Sequence, residues 1–132
     1  MKSYCIRGDH WEGVAVHRWS IEEPSVEDLE QMLERLDAST YTMMTIEGPG
    51  NRHLTVGGGA GRYVVNATTL DNEQFWTLLR SEPAEGVIQL NTGGQDGDFP
   101  ATHVVDKGQA YQAARIFLQT GELDRDQQWL EE

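Results

Sequence analysis

The chain has a single cysteine, Cys5, among its 132 residues. An internal disulfide is excluded, which fits a reducing compartment. Long apolar runs are absent too. No stretch approaches the roughly 20 apolar residues that span a bilayer. The amino-terminal MKSYCIRGDHWEG holds no apolar segment of the kind a secretory signal needs. The expected location is the cytoplasm, with no membrane partner. Positive charge is scarce: 10 Lys and Arg stand against 22 Asp and Glu, a formal net charge of -12. Nucleic acid and anionic membranes would repel such a chain, so neither is expected as a direct partner. A basic protein partner suits it, because long-range attraction speeds association. Solubility alone is the plainer account of the same charge. No internal repeat or low-complexity segment is present, and the length fits one domain over residues 1–132.

Metal and nucleophile patterns are missing as well. His10, His17, His53 and His103 form no i, i+4 pair, and none stands at ligand spacing from Cys5. Cys5 has no activating neighbour in the sequence. Asp96 and Asp98, in GGQDGDF, lack the later acids and closing glutamate of a calcium loop. No cofactor, metal or catalytic residue is expected, and the chain is not read as an enzyme.

What the chain does have is glycine, concentrated in LTVGGGAGRYVV from Leu54 to Val65. A nucleotide fingerprint fails on spacing: counted from Gly57 its last slot is Arg62, and counted from Gly59 it is Val64. No Lys-Ser or Lys-Thr follows, so the phosphate-loop pattern fails too. Both motifs need a helix after the glycines, whereas Tyr63, Val64 and Val65 favour strand. The run reads as a hairpin or bulge in an antiparallel sheet. A small-molecule site or enzyme using the Gly57–Gly61 loop is the alternative.

The remaining elements follow from periodicity. Residues 1–13 show no period and are not placed. Val14 to Ile21 alternates imperfectly, as a strand. Ser25 caps a helix over 25–37, with Asp28 three residues on and an apolar stripe of Val26, Leu29, Leu33 and Leu36. Its acidic row of Glu27, Glu30 and Glu34 reads as a solvated face, with a docking surface in a larger assembly as the alternative. Tyr41 to Glu47 is a strand whose Thr42, Met44 and Ile46 share a face. Gly48 to Asn51 is a turn. Strands follow at 53–57 and 62–68. Asp71 to Arg80 fits either helix or strand, and strand is preferred for its shorter loops. After a polar turn at 81–86, Val87 to Asn91 is a strand, Thr92 to Phe99 a loop, and Pro100 to Val105 a short final strand. Asp106 caps a helix over 107–120, with Gln109 at the capping-box position and Gly121 as the stop. The expected fold is α+β: an antiparallel sheet of five or six strands with both helices on one face. Trp76 is the best candidate interface anchor, with a core role as the equal alternative. Trp129 is expected to pack back on the domain.

The order of motifs from Pro24 onward resembles the first of the named Imm families, immunity proteins that accompany polymorphic toxins in bacteria. The carrying residues are Leu54 to Arg62, Gly93-Gly94-Gln95 with Pro100 after it, the helix end Phe117 to Gly121, and Trp129. The charged ELDRDQQ before Trp129 departs from the family pattern. The resemblance implies a small α+β domain that binds and neutralises a toxin, often a deaminase or nuclease, and carries no catalytic residues. On that reading the partner is one basic toxin domain, bound one to one. Asp71, Glu73, Trp76, Glu82, Glu85, Asp96 and Asp98 are the expected contacts.

Overall fold

The computed structural model describes residues 4–69 and 74–131. Its elements are β1 (Cys5–Glu12), β2 (Ala15–Glu22), α1 (Val26–Arg35), β3 (Met43–Glu47), β4 (His53–Gly59), β5 (Arg62–Thr69), β6 (Gln74–Leu78), β7 (Val87–Thr92), β8 (Gln95–Pro100), α2 (Lys107–Thr120) and β9 (Trp129–Glu131). Seven strands form one antiparallel sheet in the order β2-β1-β3-β4-β5-β6-β9, and β7 pairs with β8 as a separate hairpin.

Alternation decides the two faces of the large sheet. Ile6, Met44, Ile46, Leu54, Val56, Val65 and Leu78 are buried on one of them. Both helices cover that face. Leu29, Leu33 and Leu36 of α1 and its end join Ala110, Ala113, Ala114 and Phe117 of α2 in the same cluster. The three alanines let α2 lie close to the strands. Ser25 and Asp28 exchange backbone N–H bonds at 3.1 and 2.9 Å to start α1. Asp106 accepts the Gln109 N–H at 2.8 Å to start α2, and Gly121, at φ 75°, ends it.

Four expectations need correction. The sheet has seven strands rather than five or six. The unplaced amino-terminal segment supplies β1, an inner strand. It hides its period because Gly8 and His10 follow Ile6 on the core side, where apolar residues would be expected, and Trp11 stands on the opposite side. Thr92 to Phe99 is no loop: Gly93 and Gly94, at φ 65° and 85°, make the tight turn from β7 into β8. Asp and Gly in QDGDF have poor strand propensity, which masks that strand. The final strand expected over Pro100 to Val105 does not form, since Pro100 ends β8. Ala101–His103 is a 3-10 turn, and Val105 alone exchanges backbone bonds with Tyr63, at 2.8 and 3.0 Å. Gln109 closes no capping box. Its side-chain amide donates to the Leu79 backbone carbonyl at 3.0 Å and to the Gln127 side-chain Oε1 at 2.9 Å, tying α2 to the end of β6 and the tail. The ambiguous 71–80 segment resolves as strand over Gln74–Leu78, while Leu70 to Glu73 lie outside the described residues.

Candidate functional site

The β7–β8 hairpin lies on the sheet face opposite the helices, as an arm across part of it. Leu90 packs there with Val64 and Val104, flanked by Ile88 and Phe99. Val64 alternates with Tyr63 and Val65 of the main core, so this small cluster belongs to the other face. Thr92 crosses directly over Gly57: a Cβ added there would meet the Thr92 methyl at 2.7 Å. The arm's outward side carries Val87, Gln89 and Asn91 opposite Pro100, Asp98 and Asp96. From Ser81 to Asp106 the chain has Glu82, Glu85, Asp96, Asp98 and Asp106 and no Lys or Arg.

One buried carboxylate holds the arm's turn to the sheet. Asp9 is 4% exposed. Its Oδ1 accepts the N–H groups of Thr42 at 2.8 Å and Met43 at 3.0 Å. Its Oδ2 accepts the Trp11 indole N–H at 2.8 Å and the Thr42 hydroxyl. The Thr42 oxygen in turn accepts the Gly94 N–H at 3.0 Å. Thr42 stands just before β3 and is fully buried. The Trp11 ring lies flush on Gly94, where a Cβ would fall 2.0 Å from the ring. Four donors on one buried carboxylate offset its desolvation.

The expected contact residues do not converge. Asp96 and Asp98 are exposed on the arm, and Glu85 is exposed where the arm begins. Glu82 lines a separate polar cavity of about 260 Å³ with Arg62, Arg80, Asp106 and Gln109. Trp76 is half-buried on β6, between a depression shared with Arg52, Leu123 and Trp129 and another shared with His53, Thr68 and Phe75. None of the arm's carboxylates lines either depression. The Trp76 Nε1 has no acceptor among the described residues. Asp71 and Glu73 lie outside the described residues.

The family model of immunity protein Imm1 matches residues 17–131. The chain belongs to that family. No curated protein matches it. Membership makes a toxin the expected partner of this Imm1 protein, and the motifs on which the resemblance rests have structural causes. Gly57, Gly58 and Gly59 admit Thr92, the Arg62 carbonyl and the Leu36–Asp37 backbone, each within 2.7 Å of where a Cβ would stand. The Gly58 N–H is donated to Thr42 at 2.9 Å and the Ala60 N–H to Leu36 at 3.3 Å. Those amides are therefore committed inside the fold instead of facing a phosphate, and a strand follows them. Gly93-Gly94 is the arm's turn. Phe117 to Gly121 stops α2, with the Gly121 N–H on the Phe117 carbonyl at 2.7 Å. The tail closes on itself: the Trp129 indole donates to the Asp124 carbonyl at 3.0 Å, and Trp129 packs on the core. The charged ELDRDQQ is thus part of the fold, with Asp124 only 3% exposed.

Electrostatically the other faces of this Imm1 protein are more balanced. Glu34 of the acidic α1 row pairs with Lys107 of α2, and Arg7 pairs with Glu47 at 3.1 Å. Burial would raise the Asp37 carboxyl, but N–H donors at Tyr41, Ser39 and Thr40, at 2.8–3.0 Å, hold it below its ordinary value. Burial raises the Tyr63 phenol above its ordinary value. Among the described residues no three His, Cys, Asp or Glu side chains are grouped to hold a metal, and no helix is long and apolar enough to cross a membrane. Sequence reasoning missed Asp9, Trp11 and Thr42. The signal available was the two-residue Gly-Gly turn, which implies that something must receive it.

Proposed function

We propose that this protein neutralises a basic, nucleic-acid-acting toxin, such as a deaminase or nuclease, by binding it one to one in the cytoplasm. It acts as one domain and performs no chemistry of its own. The observation that carries the reading is the arm, an exposed hairpin bearing carboxylates and no cation from Ser81 to Asp106. A toxin that grips phosphates needs a groove of Lys and Arg, and carboxylates compete for the same cations. Glu85, Asp96 and Asp98 stand at the centre of this contact. Glu82 and the anchor Trp76 stand apart from the arm and would be separate contacts, and Asp71 and Glu73 lie outside the described residues.

The test is a pull-down with the product of the adjacent toxin gene, followed by association kinetics. A complex at micromolar concentration or tighter is expected, with an on-rate that falls as salt rises while dissociation changes less. No complex with the true neighbour would overturn the reading. An on-rate indifferent to salt would remove the electrostatic part alone.

A further inference from the structure

We propose that the groove between β1, β2, β3 and the turn of the arm seats an apolar side chain of the toxin and sets the register of the complex. This rests on the toxin-binding reading above. The helices cover one face of the sheet, and the arm covers only the region of Gly57 and Val64 on the other. Beside the arm the open face holds a concavity of about 510 Å³. Trp11, Val16 and Met43 supply its apolar lining, and Arg7, Arg18 and Glu47 its polar rim.

Three observations point to a protein partner. First, the lining is rigid before anything binds. The Trp11 ring is fixed by its indole bond to Asp9 and by Gly94 against it, and the backbone that carries Met43 is held by its N–H on the same carboxylate. Covering a side chain that is already immobile costs little conformational entropy. Second, the groove runs out to β2, a sheet edge of eight residues paired with β1 without a bulge and containing neither Pro nor Lys. Such an edge has neither a bulge nor a proline to keep another chain from pairing with it. By contrast the opposite edge, β9, has three residues. Third, Gly93 of the arm's turn lines the groove, so a partner drawn to Asp96 and Asp98 arrives beside it. The charge of the arm beside the groove selects the toxin as occupant: Asp96 and Asp98 are exposed there with no cation on the hairpin, which suits a basic partner. A second copy of this chain would bring the same net charge of -12 against it. Arg18 makes no ion pair among the described residues, so its guanidinium is available to a carbonyl or carboxylate beside the seated side chain.

The experiment compares toxin binding by the full chain, Val16→Asp, Arg18→Glu and a control, Glu30→Ala on α1. Residues 16 and 18 lie on an exposed edge strand, and thermal melts check that each variant folds. Val16→Asp is expected to weaken binding at least tenfold, mainly through faster dissociation, and Arg18→Glu severalfold. Glu30→Ala should stay within twofold. If the wild type binds and both groove variants match it within twofold, the groove assignment is overturned while the toxin reading stands. If the wild type fails to bind, the toxin reading itself has failed. A concentration-dependent dimer that Val16→Asp abolishes would assign the groove to a second copy instead.

Discussion

Asp9 and Asp37 look alike in the sequence, two acids among 22. Their surroundings give them different consequences. Asp9 is buried beneath four donors, so Asp9→Ala strands backbone and side-chain N–H groups away from water. We expect a loss of about 3 kcal/mol or more, read by urea denaturation, with Asp9→Asn milder because one acceptor oxygen remains. Asp37 is exposed and accepts three backbone N–H groups at the end of α1. Losing it in Asp37→Ala should cost about 1 kcal/mol, the scale of an exposed cap. Its folded carboxyl titrates below the unfolded one, so folding favours the ionised form. That contribution is fully present above the unfolded value of about 4 and disappears as pH falls through the lower folded value. Denaturation midpoints of wild type and Asp37→Asn should therefore differ by a constant amount at neutral pH and converge in acid. A gap that persists below pH 2 would contradict the assignment.

Among the elements, both helices and the central hairpin were legible because their signals are local. Ser25 and Asp106 mark helix starts, Gly121 marks a stop, and the valines after the glycine run exclude a phosphate loop. The arm was half legible. Val87 to Thr92 has strand propensity, but QDGDFP pairs only because β7 lies beside it. Which face the arm covers depends on Gly57 leaving room for Thr92, a contact between residues 35 positions apart that no window of sequence displays. Gly57→Ala should thus destabilise by about 1–3 kcal/mol, as overpacking does. In a double-mutant cycle Thr92→Gly should recover most of that loss. Additive effects would mean that the two residues do not compete for space. Gly94→Ala should act more locally. It pushes Trp11 aside and releases the turn, which a rise in amide exchange at residues 91–96 would report.

At the scale of the whole molecule, charge and tail matter most. A net charge of -12 can be read before any fold is known, and it predicts salt-sensitive association with a basic partner. The tail's role cannot be read that way. Asp124, Gln127 and Trp129 lock onto each other and onto Gln109, so β9 closes the sheet beyond β6. Truncation after Glu122 should expose Leu78 and the end of α2 and lower the melting temperature by 10 °C or more. The sequence by itself determined the α+β class, the two helices, the hairpin nature of the glycine run and the family-like order of motifs. Each follows from short-range periodicity, capping or turn chemistry. Only the tertiary structure decided that β1 is an inner strand, that the arm lies opposite the helices, and that Trp11 and Met43 wall a groove while Trp76 sits apart. Those outcomes depend on pairings between residues far apart in the chain, made by a buried carboxylate and by glycines whose missing side chains leave space for their neighbours.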